Sequence, residues 1–222
     1  VNASIAGIFG ATGQSCVAGS RLYLQDGIAN EFLERIVTQA KKITLGDPLE
    51  DATQMGPLCT RGQLTHIQKQ ITKALQEGAT LLCGGESWGD SNGLFFKPTI
   101  VYCPRQNLKI VDTELFGPVL TVIRFKTEAE VIELANDTKY GLAAGIFTKN
   151  SAKSLRMTKA IKAGIIWVNT YRAVSPIAQF GGFKQSGFGR ESGFQAIYDY
   201  TRPKTVWINT SDDPIDNPFI MR

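Results

Sequence analysis

Short apolar runs rich in β-branched residues alternate with amphipathic helical segments along this chain, and this alternation limits the fold most strongly. The runs lack the polar alternation of a strand with one face in water, so each strand is predicted to be buried on both faces. Buried strands interleaved with helices predict an α/β fold, a three-layer αβα domain on a mainly parallel sheet. The predicted strands cover residues 80–83, 98–102, 119–125, 144–148 and 165–168.

Three helical segments carry boundary signals. An apolar stripe that extends to Ile43 follows Asp26, which is predicted to cap the helix, and the Gly-Asp-Pro turn at residues 46–48 is predicted to end it. The second helix is predicted to stop at Gly78. Two pairs have capping-box spacing, which marks a helix start: Thr60 with Gln63, and Thr127 with Glu130.

Composition excludes several classes of protein. Hydrophobic residues make up 43% of the 222 residues, and the net charge of +4 comes from scattered basic residues, so neither disorder nor nucleic-acid binding is predicted. There is one histidine, His66, and no metal site is expected. No apolar run is long enough to span a membrane, and the cysteines have no C-x-x-C spacing; a cytoplasmic protein is predicted. These cysteines are Cys16, Cys59, Cys83 and Cys103.

The composition changes near the end of the chain. Residues 178–193 hold five glycines among aromatic and charged residues, which is typical of a loop that approaches another group closely. A strand-like segment, Lys204–Asn209, lies in the polar, proline-containing extension of residues 194–222. This extension cannot form a core alone, so we expect it to pack on another domain or subunit. At the other end, Ile5 and Ile8 have helical spacing with no cap before them, and the chain is expected to begin inside a helix.

Cys16 is the candidate nucleophile. A helix broken at Gly13 and restarting near Cys16 would place the thiol at a helix N-terminus, where backbone N–H groups favour a thiolate and could hold an oxyanion. The alternative is a buried cysteine in a turn rich in glycine and alanine. His66 is predicted at the solvent edge of its helix, which weakens a Cys/His hydrolase.

Four other residues could serve a site. Glu114 precedes the turn before a strand, where a carboxylate can accept ribose hydroxyls, and Phe116 could offer a flat face to an aromatic ring. Glu191 follows the glycine-rich loop and could relay protons or pair with a neighbouring arginine. Asn169 follows a strand at the end where α/β ligand crevices form. A turn glutamate, a core phenylalanine and a helix-starting acid remain the structural alternatives.

Several segments together resemble the NAD(P)-dependent aldehyde dehydrogenases in order and approximate spacing. They are GQSCVAGSR around Cys16, ELFGP at 114–118, YGLAAGIFT at 140–148, IWVNT at 166–170 and FGGFKQSGFGRE at 180–191. The resemblance implies an oxidoreductase that oxidises an aldehyde to a carboxylic acid, with NAD or NADP as cofactor and a homo-oligomer as the assembly. It identifies residues 1–193 as the catalytic domain and 194–222 as an oligomerisation strand and tail.

By this resemblance, Cys16 is similar to the family nucleophile, whose thiohemiacetal loses hydride to leave a thioester. Glu191 resembles the second glutamate of the water and proton path, Glu114 the ligand of the nicotinamide ribose and Phe116 the ring near the nicotinamide. The positions that match the aldehyde tunnel are Ser15, Val17, Asn169, Val174 and Phe180.

The chain also departs from the family pattern. The glycine-rich cofactor fingerprint, the general-base glutamate and the oxyanion asparagine have no match here, so the dinucleotide-binding domain is expected upstream of Val1 and the isolated chain is expected to be inactive. Val174 stands where an aromatic residue is common, which predicts a wider tunnel. Arg172 could meet an anionic substrate, although a surface position is favoured. A cysteine esterase or thioesterase and a non-catalytic oligomerisation module remain alternatives.

Overall fold

The structure is a computed structural model that describes residues 1–90 and 92–220. Helices and strands alternate along most of it. The helices are α1 (Asn2–Phe9), α2 (Asp26–Ala40), α3 (Arg61–Gln76), α4 (Lys109–Asp112), α5 (Glu128–Asn136) and α6 (Ser151–Ala160). The strands are β1 (Arg21–Gln25), β2 (Thr80–Cys83), β3 (Thr99–Tyr102), β4 (Val119–Phe125), β5 (Tyr140–Gly141), β6 (Ala143–Ile146), β7 (Ile165–Val168) and β8 (Phe183–Lys184).

The main sheet has the strand order β1-β4-β3-β2. Strand β4 pairs in parallel with both β1 and β3, whereas β2 closes the edge as an antiparallel neighbour of β3. Strands β6 and β7 form a second parallel pair, and the short β5 and β8 form an antiparallel one. The prediction of an α/β fold on a mainly parallel sheet is confirmed.

Helices cover both faces of the main sheet, which makes the three layers. Along β4, Val119 and Ile123 point into a core that contains apolar residues of α3, and Leu120 and Val122 point into a second core shared with α1 and α2. Successive strand residues face opposite sides, so a run without polar alternation serves both cores. Each such side chain contributes about 1.5–3 kcal/mol by leaving water.

Several predicted boundaries shift. Asp26 is the first residue of α2 and not its cap, because β1 runs directly into the helix and Gln25 occupies the capping position without a side-chain bond. The helix ends at Ala40, so Ile43 lies beyond it. The sequence did not predict β1, whose polar and apolar residues are mixed, or α6, which buries no residue among those described.

The extension forms a 3₁₀ segment over Phe194–Tyr200 and then runs without helix or strand to residue 220. Lys204–Asn209 therefore forms no strand within the described chain, and the prediction that it pairs with another subunit remains a prediction. Residues 221 and 222 of the predicted extension lie outside the described residues. Within residues 1–90 and 92–220, no helix has both the length and the apolar character needed to cross a membrane.

Candidate active site

A reversal of the backbone places Cys16 at the protein surface. The 3₁₀ turn Gly10–Gly13 follows α1, and the backbone is left-handed at Ala11, Thr12 and Gly13, with φ of 54°, 57° and 70°. The next turn is closed by the hydrogen bond from the Ala18 N–H to the Ser15 carbonyl, 3.0 Å long. Cys16 lies in this turn, exposed and without a disulfide.

The predicted helix start at Cys16 is therefore wrong. Only a few residues separate the closed turn at Ser15 from Arg21, the first residue of β1. These residues connect the turn to the sheet and form no helix. No helix dipole acts on the thiol from its own segment. The helix breaks earlier than the predicted break at Gly13, because α1 ends at Phe9.

A glycine–glycine contact joins this turn to the segment that carries Glu114 and Phe116. A Cβ on Gly13 would lie 2.1 Å from the Gly117 carbonyl oxygen, so only glycine permits the approach. On the same side, the Gln14 side-chain oxygen accepts a hydrogen bond of 2.8 Å from the Cys59 N–H. The predicted nucleophile and the predicted cofactor residues are thus brought to one region by backbone packing.

Helix α3 holds the Glu114–Pro118 segment from the other side. The Thr60 hydroxyl accepts a hydrogen bond from the Gln63 N–H at 3.2 Å, which is half of the predicted capping box. The Gln63 side chain does not complete the box; its amide donates to the carbonyls of Leu115 and Phe116. The helix start is therefore fastened to the loop.

The two cofactor candidates on this loop are accessible. Glu114 is exposed, and Phe116 exposes 41% of its surface from a left-handed backbone with φ of 49°. Leu115 between them is buried and anchors the loop in the core. Because Leu115 is buried and the loop backbone is hydrogen-bonded to Gln63, Glu114 and Phe116 are held in place while their side chains stay exposed.

Tyr171 supports the Cys16 turn, and it was not identified from the sequence. Its hydroxyl donates to the Val17 carbonyl at 3.1 Å, and its ring makes an edge contact with Trp167 at 4.9 Å between centroids. Three glycines form the slot for the ring: a Cβ would lie 2.9 Å from it at Gly7, 3.3 Å from its hydroxyl at Gly19 and 2.6 Å from it at Gly145. Burial, partly opposed by the charge of Arg172, raises the pKa of Tyr171 to about 12.

Arg172 lies beside the same turn. One guanidinium nitrogen donates to the Ser15 hydroxyl at 3.3 Å, and another donates to the Ala6 carbonyl at 3.4 Å. Its backbone is left-handed, with φ of 61°. The side chain is half-buried, and whether it is a simple surface arginine or meets an anionic substrate stays a prediction.

The residues proposed for the aldehyde tunnel differ in their burial and in their hydrogen-bond partners. Ser15 is half-buried beside Cys16, whereas the Val17 side chain is buried and contributes to the site through its carbonyl. The Asn169 side chain is engaged by the backbone of Thr148, which donates to its oxygen at 2.9 Å and accepts from its nitrogen at 3.0 Å. Val174 exposes 73% of its surface. Their roles toward an aldehyde stay predictions.

Glu191 and Phe180 are brought together by a two-residue β-bridge, with both backbone hydrogen bonds at 2.7 Å. Glu191 is exposed. Arg190 donates to the carbonyls of Gly182 and Gly189 rather than to the Glu191 carboxylate. Among the described residues, no hydrogen bond joins this bridge to the Cys16 turn, so their proximity stays a prediction.

Gln63, Tyr171 and the Gly13–Gly117 contact were missed because each joins residues far apart in the sequence. The position of Tyr171, three residues after the end of the predicted strand at Val168, was the one available signal. No group of three or more His, Cys, Asp or Glu side chains suited to a metal ion occurs in the part of the chain that the structure describes.

Comparisons with known proteins agree with this geometry. The sequence model described as the aldehyde dehydrogenase family matches residues 1–206. A (Z)-2-((N-methylformamido)methylene)-5-hydroxybutyrolactone dehydrogenase of Acinetobacter baylyi is 51% identical over 100% of this chain and 46% of its own length. A betaine aldehyde dehydrogenase of Brucella anthropi is 42% identical over 99% of this chain and 45% of its own length.

A solved structure shares the fold over nearly the whole chain. The NAD⁺ complex of an aldehyde dehydrogenase from Bacillus cereus superposes with a TM-score of 0.91 at 39% identity, over 95% of this chain and 43% of that one. The chain thus spans somewhat under half the length of these relatives. With the exposed Cys16, the Glu114–Pro118 segment and the family match in the same stretch, the chain belongs to the aldehyde dehydrogenase family.

Proposed function

We propose that this chain is the catalytic portion of a longer enzyme that oxidises an aldehyde to a carboxylic acid with NAD or NADP. The observation that carries the proposal is the exposed Cys16 turn, which packs against the Glu114–Pro118 segment through Gly13 and Gly117. A nucleophile and a cofactor-facing loop in direct backbone contact are what oxidation through a cysteine adduct requires.

The chemistry begins at the Cys16 sulfur. The thiol adds to the aldehyde carbon and gives a thiohemiacetal, and the Cys16 N–H supports the oxyanion that forms. Loss of hydride from that carbon leaves a thioester on the sulfur. Water then hydrolyses the thioester, which releases the acid and restores the thiol. We assign Glu191 to the path that moves the water proton; its exposure on the bridge with Phe180 supports this assignment.

The residues present fit the nicotinamide half of NAD(P). Glu114 is an exposed carboxylate able to accept hydrogen bonds from two ribose hydroxyls, and Phe116 presents an exposed ring beside it. When bound, NAD(P) supplies the hydride acceptor. The upstream dinucleotide-binding domain, which this proposal requires, would hold the rest of the cofactor.

Ser15, Val17, Asn169, Val174 and Phe180 are proposed to line or border the aldehyde path. We also propose that Val174, which exposes 73% of its surface, makes that path wide because its side chain is smaller than an aromatic one. Val174→Phe should shift the preference of the full-length enzyme from long toward short aldehydes. An unchanged preference would remove Val174 from the path.

The test of the proposed function uses the full-length protein that contains this chain. Cys16→Ser should lower the rate of aldehyde-dependent NADH formation about a thousandfold or more, because the adduct cannot form. Cys59→Ser is the matched control, since Cys59 is also an exposed free cysteine, and it should retain activity. Equal activity in the two variants would refute the role of Cys16. NADH formation by the isolated 222-residue chain would refute the need for an upstream domain.

A cysteine esterase or thioesterase is the second candidate, because an exposed Cys16 thiol can be acylated without any hydride transfer. It predicts release of p-nitrophenol from an ester without NAD(P), abolished by Cys16→Ala. If ester hydrolysis occurs and no aldehyde is oxidised, this candidate replaces the first.

We also propose a homo-oligomer in the cytoplasm. The extension of residues 194–220 exposes many large apolar side chains, which a second subunit could cover. The four free cysteines fit a reducing compartment. A protein that only oligomerises through this extension, without catalysis, would be indifferent to substitution of Cys16.

A further inference from the structure

We infer that Arg172 binds a carboxylate on the aldehyde substrate, so that the site favours anionic aldehydes over neutral and cationic ones. The inference rests on the proposed function, because it concerns the substrate of the same site. It is carried by the position, the fixed conformation and the charge environment of one guanidinium.

The guanidinium lies one residue away from the proposed nucleophile. Its hydrogen bond of 3.3 Å to the Ser15 hydroxyl places it next to Cys16 in the closed turn. Its second bond, 3.4 Å to the Ala6 carbonyl, ties it to the last turns of α1. A substrate whose aldehyde carbon reaches Cys16 therefore extends past a positive charge.

The position of this charge is fixed by its surroundings. A Cβ on Gly10 would lie 2.9 Å from a guanidinium nitrogen, so the group rests directly over the Gly10 backbone. The left-handed backbone of Arg172 follows Tyr171, whose ring fills the slot of three glycines. A preorganised guanidinium loses little freedom on binding, which makes it suited to recognition.

The charge has no protein counter-ion in the described part of the chain. No carboxylate lies within ion-pair distance of Arg172 among residues 1–90 and 92–220, whereas Arg156 has Glu128 at 2.8 Å. The acceptors that Arg172 does have are a hydroxyl and a carbonyl, both neutral, and further N–H donors remain without an acceptor there. A carboxylate is the group that satisfies such a guanidinium best, because it adds charge and can accept two parallel bonds.

The same charge disfavours a cationic substrate. A quaternary ammonium beside Arg172 would meet repulsion that water only partly screens in a half-buried site. The 42% identity with a betaine aldehyde dehydrogenase therefore does not extend to a preference for betaine aldehyde.

The test compares three aldehydes of similar size in the full-length protein: succinic semialdehyde, butanal and betaine aldehyde. Arg172→Gln should lower the ratio of kcat/KM for succinic semialdehyde to that for butanal about tenfold to a hundredfold, through KM. It should also improve betaine aldehyde relative to butanal. Arg35→Gln, an exposed arginine on α2, is the matched control and should leave both ratios unchanged.

A binding measurement separates this role from a structural one. Succinate should slow the alkylation of Cys16 by iodoacetamide in the wild-type protein and in Arg35→Gln, and not in Arg172→Gln. Unchanged selectivity, or an equal loss of kcat for all three aldehydes, would overturn the inference. If no aldehyde is oxidised at all, the proposed function fails, and succinate protection then decides alone whether Arg172 binds a carboxylate beside Cys16.

Discussion

At the scale of single residues, most left-handed backbone outside glycine lies in the segments that carry the Cys16 turn or its supports. The residues are Ala11, Thr12, Phe116, Asn169 and Arg172. Such conformations cost about 1 kcal/mol or more each, and they persist where the surrounding packing dictates the backbone. Here the packing comes from distant partners, above all the Gly13–Gly117 contact and Tyr171 in its slot. These residues adopt an unfavourable φ because packing around the Cys16 turn requires it.

Tyr171→Phe isolates the hydroxyl that supports this turn. The ring stays in its slot, but the Val17 carbonyl loses its donor, so the free energy of unfolding should fall by about 1 kcal/mol. Urea unfolding measures the change. Tyr140→Phe is the control, because the Tyr140 hydroxyl has no acceptor among the described residues, and it should have little effect. Equal effects of the two substitutions would contradict a supporting role for Tyr171.

The same variant has a pH signature. Burial raises the pKa of Tyr171 from 10.0 to about 12, so its contribution to stability is complete below pH 10 and is lost as the pH rises to about 12. The loss is on the order of 2 kcal/mol, and Tyr171→Phe should remove it. Burial also raises the pKa of Cys103, from 9.0 to about 12, so some alkaline loss remains in the variant. An unchanged alkaline profile would contradict the burial of this phenol.

At the scale of elements, α3 and α5 show how far a local pattern reaches. Both helices begin with the spacing of a capping box, and α5 forms the complete box between Thr127 and Glu130. In α3 only the Thr60 half forms, because the Gln63 side chain is taken by the carbonyls of Leu115 and Phe116. The sequence predicts that α3 starts after Thr60. The partner of the Gln63 side chain, however, is set by Leu115, which lies 52 residues away in the sequence.

Features set by local sequence could be predicted, whereas features set by contacts between distant residues could not. Strands β2, β4 and β7 match the predicted bounds because each forms a continuous run of mainly apolar residues. The predicted burial on both faces holds for most of β4, whereas β2 and β7 are largely half-buried. The site segments around Cys16 and Glu114 were identified from motifs, whereas the supports Tyr171 and Gln63 were not. Local periodicity carries no information on contacts between distant loops.

Thr60→Ala should therefore affect mainly the stability of the fold, whereas Gln63→Ala should affect mainly the binding of the cofactor. Loss of the Thr60 cap should lower the free energy of unfolding by about 1 kcal/mol and leave cofactor affinity unchanged. Loss of the Gln63 amide frees the loop that presents Glu114, so the Kd for NADH of the full-length protein should rise about fivefold. Denaturation and fluorescence titration give the two quantities. Identical profiles for the two variants would show that Gln63 acts only through the helix.

Gly13→Ala tests the contact between the two site segments. Gly13 and Gly78 both have positive φ, but a Cβ meets the Gly117 carbonyl at Gly13 and open space at Gly78. Gly78→Ala should cost only the conformational strain, about 1–2 kcal/mol. Gly13→Ala should lower the free energy of unfolding clearly more and abolish activity, because the backbones of Gly13 and Gly117 must move apart. Similar costs at both positions would place the Cys16 turn and the Glu114 segment apart.

At the scale of the whole molecule, the described chain divides into a layered domain and an uncovered extension. Between residues 194 and 220 the exposed apolar side chains include Phe194, Tyr200, Trp207, Ile215 and Phe219. No residue of this segment is buried. An apolar surface of this extent is typical of an interface, and a segment with a strand-like sequence but no partners is able to add to the sheet edge of a second chain.

We therefore expect the full-length protein to associate through residues 204–209. Trp207 exposes 93% of its surface, and Trp207→Glu places a charge in the proposed interface, so the dissociation constant of the oligomer should rise at least about tenfold. Leu49→Glu, at an equally exposed position in a loop of the layered domain, should leave the assembly unchanged. Sedimentation velocity over a range of concentrations measures both. A wild-type protein that stays monomeric at high concentration would contradict the oligomer, and an oligomer unaffected by Trp207→Glu would assign the interface to another surface.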